Sequence, residues 1–187
     1  MNDQLFSRLD GFKSSLNFDR GKSGFVFVIW YLIKRIFFLT SFPWPSLVKS
    51  FILKCFGATV GHKIIIKPRV NIHFPWKLSL GDCVWIGERV EIYNFESVRI
   101  GSHCCVSQDV FLCAADHDFR DPFFSYRNAP ICIGNGVWLQ ARVFVCPGAL
   151  IGNESVITAC SLVKGTLPGN QVCSGSPALP VSRRWKS

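Results

Sequence analysis

The sequence lacks the features that mark several common classes of protein. None of its nine cysteines lies in a C-x-x-C pair and no cleavable signal peptide opens the chain, so a secreted disulfide framework is not expected. Ligand pairs at zinc-binding spacing are also absent, so no metal is expected. We therefore expect a protein of the reducing cytoplasm, in which four cysteines are small core residues: Cys83, Cys104, Cys146 and Cys160.

Charge and composition favour one domain with a basic, apolar appendage. A hydrophobic content of 49% over 187 residues excludes a disordered chain and is sufficient for a real core. The net charge is +9, and residues 1–59 carry eight Lys and Arg against three Asp and Glu. No basic cluster with stacking aromatics is present, so nucleic-acid binding is not expected. Because residues 1–59 are also the most apolar part of the chain, an anionic membrane surface is the favoured partner of this charge.

Two amphipathic helices are predicted in this appendage. The first is an apolar run over residues 25–42, interrupted by Lys34 and Arg35 and ended by the prolines that follow it. A membrane span needs about 20 apolar residues and tolerates central charges poorly, so an interfacial helix is the first interpretation and a span the second. The second helix covers residues 46–56, with Gly57 as its stop. Simple capping of the following domain explains both helices equally well.

An aliphatic residue recurs every six positions from Val60 onward. This period predicts a mainly β fold, a left-handed parallel β-helix of about five to six coils over residues 60–168, in which the aliphatic side chains stack inside. Glycine often follows the aliphatic residue, and we expect it there because tight corners need positive φ. The fifteen core positions are Val60, Ile66, Ile72, Leu80, Ile86, Ile92, Ile100, Val106, Leu112, Ile133, Leu139, Val145, Ile151, Ile157 and Val163.

The repeat is broken three times, always after the third face of a coil. Two steps lengthen from six residues to eight, and the step from Leu112 to Ile133 is 21. The insertions at residues 74–79, 94–99 and 113–132 should therefore lie one above another on a single edge. A solenoid that is irregular along one edge is expected to present a site there. The longest insertion carries His117 between two aspartates.

Several motifs resemble the hexapeptide-repeat acyltransferases, and within them the group of colanic acid biosynthesis acetyltransferases. The matching motifs are FGATVG (56–61), PWKLSLGD (75–82), VWIGERVEIYN (84–94), the DHD loop, IGNGVWLQARVFVCPGALIG (133–152) and the closing GSPA (175–178). The resemblance covers residues 46–182, and residues 169–187 are expected to form a C-terminal tail. It implies a homotrimer with sites between subunits, acetyl-CoA as donor, and a sugar hydroxyl as acceptor in polysaccharide or glycan biosynthesis.

The resemblance also implies roles for residues of the loop and the coils. His117 matches the family's catalytic base, and a neutral imidazole can accept the proton of a hydroxyl group. Either Asp116 or Asp118 is expected to orient its imidazole, and the turn at Ala141 to supply an oxyanion donor.

Other positions are expected to contact acceptor or donor. Asn94 and Trp76 lie on the acceptor edge, although a turn-forming role explains Asn94 equally well. Four coil residues match the CoA groove, namely Trp138, Ala141, Ala159 and Lys164, with packing between subunits as the alternative for Trp138. Leu179 replaces the family's usual lysine, and Arg183 is expected to take over its phosphate contact.

Two alternative functions remain on the same fold. A trimeric zinc carbonic anhydrase needs two histidines five residues apart, and no histidine pair here has that spacing. A non-catalytic scaffold or membrane-docked assembly partner is the second alternative. The acceptor itself, whether free, nucleotide-linked or lipid-linked, is not encoded in any motif of the sequence.

Overall fold

The computed structural model describes residues 9–12 and 18–186. Two helices precede a three-sided solenoid of short parallel strands, and a short 3-10 turn at Pro75–Lys77 interrupts the first corner of the insertion edge. The helices are α1 (Gly24–Phe37) and α2 (Ser46–Cys55). The strands are β1 (Thr59–Val60), β2 (Ile65–Ile66), β3 (Asn71–Ile72), β4 (Leu78–Leu80), β5 (Trp85–Ile86), β6 (Glu91–Tyr93), β7 (Val98–Ile100), β8 (Cys105–Val106), β9 (Phe111–Cys113), β10 (Ile131–Ile133), β11 (Trp138–Leu139), β12 (Phe144–Val145), β13 (Leu150–Ile151), β14 (Val156–Ile157), β15 (Leu162–Val163), β16 (Thr166–Leu167), β17 (Gln171–Gly175) and β18 (Ala178–Arg183).

Successive strands go to three different sheets, which form the faces of a prism. The first face has the order β1-β4-β7-β10-β13-β16, the second has β18-β17-β14-β11-β8-β5-β2, and the third has β15-β12-β9-β6-β3. Every pair of strands that the structure describes within the solenoid is parallel, and the closing β17–β18 hairpin is antiparallel. This is the predicted parallel β-helix. Since β17 extends the second face, the solenoid continues into the region predicted as a tail.

The interior is built from the residues that the six-residue period selects. All fifteen predicted core positions are buried, and so are the small residues four positions later, including Ser155 and Ser161. Stacking like side chains from coil to coil fills the prism without voids, which is why a repeat of short strands is stable.

The glycines that follow the core residues have a different role from the predicted one. Gly101 and Gly134 do not have positive φ; a Cβ on Gly101 would meet the Gly134 backbone at 2.7 Å, and one on Gly134 would meet Asn153 at 2.8 Å or closer. These glycines allow close approach between coils. Positive φ falls two residues further on, at non-glycine residues such as Cys83 (57°) and His103 (60°).

The cysteine prediction is correct only in part. Cys104 is buried, whereas Cys83 and Cys146 are half-buried and Cys160 is exposed. Cys83 and Cys160 occupy corner positions with φ of 57° and 61°, where the side chain points away from the interior. Cys173, which was not singled out, is the second buried cysteine.

The two helices cap the first coil. Trp30 of α1 donates from Nε1 to the carbonyl of Ile72 at 3.0 Å. The Nζ of Lys49 on α2 is buried and donates to the carbonyls of Ile66 (3.2 Å) and Lys67 (3.0 Å). These contacts satisfy strand-end carbonyls that have no further coil to pair with. Lys49 is therefore part of the cap rather than a solvated surface residue.

The helix boundaries were predicted well for α2 and poorly for α1. Gly57 has φ of 92°, and the amides of Gly57 and Ala58 bond the carbonyls of Lys54 and Leu53, which is the glycine stop expected. In contrast, α1 ends at Phe37, before the prolines, because Thr40 turns the chain to accept a hydrogen bond from the Arg69 amide. Neither described helix has the length and hydropathy needed to cross a bilayer.

Candidate active site

The three insertions lie on one edge of the prism, as predicted. Each connects a strand of the third face to the next strand of the first face: β3 to β4, β6 to β7, and β9 to β10. The long loop therefore projects from the same corner as the two shorter insertions, and His117 projects with it. A β-bridge between His117 and Tyr126 closes the loop into a short hairpin.

The imidazole of His117 is oriented by a main-chain carbonyl. Its Nδ1 lies 2.6 Å from the carbonyl oxygen of Phe124. A carbonyl only accepts, so the neutral ring carries its proton on Nδ1 and presents the lone pair of Nε2. Nε2 has no partner among the residues that the structure describes. The hydrogen bond to Phe124 therefore fixes the tautomer of the neutral ring.

The carbonyl of Phe124 is held by a tight turn. Phe124 has φ of 55°, an uncommon conformation for a bulky residue, and its amide donates to the Asp121 carbonyl at 2.9 Å. The Asp121 carboxylate accepts from the amides of Phe123 (3.0 Å) and Ser125 (3.1 Å). Hydrogen bonding to Ser125 is the main cause of the lowered pKa of Asp121. The turn therefore fixes the direction in which the carbonyl points.

Neither flanking aspartate bonds the imidazole. Asp116 accepts from the backbone amide of His117 (2.8 Å) and from Arg127 (2.8 Å), and the Arg127 hydrogen bond is the main reason why the pKa of Asp116 is lowered. Asp118 accepts from the Arg120 amide at 2.9 Å. The imidazole is therefore oriented by the Phe124 carbonyl and not by a carboxylate, because the hairpin turns both carboxylates toward backbone amides of the loop itself.

Aromatic rings surround the imidazole of His117. The ring of Phe124 stacks on it, with centroids 4.2 Å apart and an angle of 11° between the planes, and the ring centroid of Tyr126 lies 4.6 Å from that of the imidazole. Phe12, from the N-terminal segment, contacts the same imidazole at 5.6 Å. Phe18 stacks on Phe95 of the middle insertion at 4.7 Å. Phe12 and Phe18 therefore lie over the insertion edge, next to the loop that carries His117.

Asn94 and Trp76, the two residues predicted to contact the acceptor, both form hydrogen bonds that hold the insertion edge together. Asn94 is fully buried; its Oδ1 accepts from the Phe74 amide (2.9 Å) and its Nδ2 donates to the Phe74 carbonyl (2.7 Å). These bonds favour the turn-holding role of Asn94. Trp76 is half-buried, and its Nε1 donates to the Arg20 carbonyl at 2.5 Å. Both side chains tie the insertion edge together beneath the loop.

The predicted cofactor residues divide between two edges. Lys164 lines an open cavity of about 820 Å³ at the base of the loop, together with Asp116 and Arg127. Trp138 is on the second face, half exposed, with Nε1 bonded to the Ser107 hydroxyl at 3.0 Å. Ala141 and Ala159 occupy the corner that follows the second face, so they lie on a different edge from His117.

The C-terminal residues Arg183 and Arg184 lie next to the second face. Arg183 is an exposed residue at the end of β18, paired in register with Gln171. Its neighbour Arg184 is engaged within the chain, because it donates to the Gly136 carbonyl at 2.5 Å and lies 3.4 Å from Glu154. Among the residues that the structure describes, Arg184 is therefore engaged, whereas the side chain of Arg183 forms no ion pair or hydrogen bond.

Sequence reasoning missed part of the site. Phe124, Asp121 and the N-terminal phenylalanines Phe12 and Phe18 carry no motif, and only their proximity to His117 in the fold reveals them. Over residues 9–12 and 18–186, no cluster of three or more His, Cys, Asp or Glu is placed to hold a metal ion.

The geometry defines a hexapeptide-type solenoid with a long loop that carries His117, and comparison with known proteins identifies the class. No family model matches the chain. The putative colanic acid biosynthesis acetyltransferase WcaF of Escherichia coli (strain K12) is 38% identical over 180 residues, covering 94% of this chain and 96% of that protein. The chain therefore belongs to the hexapeptide-repeat acetyltransferases, in the group of WcaF, and is an acyltransferase.

Two solved structures share the fold of this chain. A galactoside acetyltransferase in complex with coenzyme A superimposes with a TM-score of 0.78 at 25% identity, covering 85% of this chain and 80% of that one. A hexapeptide-repeat acetyltransferase of Vibrio cholerae, complexed with acetyl coenzyme A, has a TM-score of 0.73 at 21% identity, covering 78% and 81%. The second comparison establishes the fold alone.

Proposed function

We propose that the chain transfers an acetyl group from acetyl-CoA to a sugar hydroxyl in the biosynthesis of a polysaccharide or other glycan. The observation that carries this proposal is the oriented imidazole of His117, with Nδ1 bonded to the Phe124 carbonyl and Nε2 free. The names of the relatives supply the donor and the acceptor class: WcaF for colanic acid, and the galactoside enzyme for coenzyme A and a sugar.

The reaction is a direct transfer with one base. Nε2 of His117 removes the proton of the acceptor hydroxyl while its oxygen attacks the thioester carbonyl carbon. In the imidazolium, Nδ1 keeps its proton and continues to donate a hydrogen bond to the Phe124 carbonyl. A main-chain donor stabilises the oxyanion, for which the Ala141 amide is available because it bonds no atom of the described residues. Collapse breaks the carbon–sulfur bond, and the thiolate takes the proton from Nε2, which yields the O-acetyl ester and CoA.

A homotrimer completes this site. The base lies on the corner between the third and first faces, whereas Trp138, Ala141 and Ala159 lie on or beside the second face. One chain cannot bring these two surfaces together, but a cyclic assembly places the loop edge of one protomer against the second face of the next. We propose that acetyl-CoA lies in that groove, with Lys164 and Arg183 near its polar groups. Nine free cysteines and a cytosolic donor fit a cytoplasmic site of action.

The acceptor enters from the insertion edge. A small pocket of about 150 Å³ beneath the loop is lined mainly by aromatic rings, with His73 and Arg20 as its polar members. Aromatic walls with a few fixed polar groups are typical of small-molecule sites. Free, nucleotide-linked and lipid-linked sugars all remain compatible with it.

The test is the loss of acetyl transfer in His117→Ala. Thioester consumption from acetyl-CoA in the presence of a glycan mixture should fall by about 100-fold or more, because general base catalysis contributes about 10²–10⁴-fold. His62→Ala is the matched control, since His62 is exposed on the first coil and lies away from the loop. Full activity of His117→Ala with unchanged assembly would overturn the proposal.

A further inference from the structure

Both capping helices carry a second apolar face that no residue of ranges 9–12 and 18–186 covers. On α1 the exposed residues Phe25, Val28, Leu32 and Ile36 follow spacings of three and four, so they lie on one side. On α2, Leu47 and Phe51 are 85% and 68% exposed. We call these six residues the outer face.

The outer face is not needed for capping. Trp30 in the middle of α1, Phe38 just beyond its end, and Leu53 of α2 are fully buried against the first coil. Since both helices rest on the same end of the prism through these residues, their opposite sides point away from it. An amphipathic cap should be polar on that side, yet here it holds large aliphatic and aromatic side chains.

The surroundings of the outer face are strongly basic. From Arg20 to Gly81 the sequence has ten Lys and Arg and no Asp or Glu. Lys34 and Lys49 are buried beneath the helices. Six of the remainder are exposed just before α1, on the helices or on the first coil: Lys22, Arg35, Lys54, Lys63, Lys67 and Arg69. Within the part of the chain that the structure describes, none of these six forms an ion pair.

We propose that the outer face docks on the surface of an anionic phospholipid membrane. Apolar side chains enter the headgroup boundary while unpaired cations meet the lipid phosphates, with the helices lying in the plane of the membrane. A second copy of the chain is a poor occupant, because a symmetric contact would face these cations against each other. The trimer of the proposed function also uses the sides of the solenoid and leaves this end free. The inference rests on that proposed function and adds the membrane as the place where a lipid-linked acceptor is met.

The experiment is co-sedimentation of the full chain with vesicles of phosphatidylcholine alone or mixed with phosphatidylglycerol. We expect binding to the mixed vesicles that weakens with added salt, and little binding to phosphatidylcholine alone. The double variant Leu32→Ser, Phe51→Ser should bind about 100-fold more weakly, since two large apolar side chains no longer leave water. The double variant Arg35→Gln, Lys54→Gln should lose about tenfold or more on mixed vesicles.

Leu179→Ser is the matched control, because Leu179 is 62% exposed in the hairpin at the opposite end of the solenoid and should not affect binding. Absence of binding to mixed vesicles, or equal binding of the Leu32→Ser, Phe51→Ser variant, would overturn the proposal. So would a change in oligomeric state caused by that variant without vesicle binding. His117→Ala should bind vesicles normally, so the two proposals can fail separately.

Discussion

The role of Asn94 can be decided by one substitution. In Asn94→Ala the amide and the carbonyl of Phe74 both lose their partners, and Phe74 is itself 3% exposed, so water cannot replace them. Each unsatisfied buried group costs about 1–3 kcal/mol, so the two groups give a loss of about 2–6 kcal/mol in the free energy of unfolding. For a chain of this size that corresponds to a fall in Tm of about 4–24 °C.

Thermal unfolding followed by circular dichroism measures this change. Asn153→Ala is the control, because Asn153 also accepts from an amide of the neighbouring coil, that of Asn135 at 2.8 Å, but is exposed. Water can take its place, so its cost should be below about 1 kcal/mol. Asn94→Asp should also be destabilising, since it puts a carboxylate oxygen against the Phe74 carbonyl. An unchanged Tm in Asn94→Ala, with acetyl transfer lost, would refute the structural role and restore Asn94 as an acceptor contact.

Three further predictions follow from the same structure. Asp121→Ala should lower kcat by about 10–100-fold with the KM for acetyl-CoA unchanged, because the Phe124 carbonyl loses its fixed direction; steady-state kinetics checks this. Gly101→Ala should cost about 1–3 kcal/mol by crowding the next coil, whereas Gly24→Ala, in open space at the start of α1, should not destabilise; denaturant unfolding separates them. Lys34→Met should stabilise the fold at pH 7, because burial lowers the folded-state pKa of Lys34 and the unfolded chain binds the proton better. The natural protein gains stability as pH rises toward 10.5, so the advantage of Lys34→Met should shrink there; an advantage independent of pH would contradict this.

The fold was predictable because its signal is periodic. Core positions such as Ile72 and Val145 are set by a six-residue rule that every coil repeats, and each break in phase located an insertion on the same edge. The glycine prediction was wrong because sequence spacing does not distinguish two reasons for a glycine. One is a positive φ, and the other is the close approach of another backbone, as at Gly101. The end of α1 was set by Thr40 accepting from Arg69, a tertiary contact.

The site was predictable only where a motif carried it. His117 follows from the DHD loop, but its partner is a main-chain carbonyl at Phe124, and no sequence pattern marks a carbonyl. The packing of Phe12 on the imidazole joins residues far apart in the chain, so it requires the fold. The helices showed the same limit: amphipathic spacing predicted α2, yet Lys49 is on its buried side and Phe51 on its exposed side.

The central claim, that two protomers each supply half of one site, is tested most directly by mixing two inactive variants. His117→Ala removes the base, and Ala159→Trp fills the opposite groove at the exposed corner beside the second face. Each variant alone should be inactive. In trimers reassembled from equal amounts, a site is complete only where the loop of an Ala159→Trp chain meets the groove of a His117→Ala chain, so about a quarter of the natural activity should return. Mixed trimers that form but remain as inactive as their parents would contradict the account.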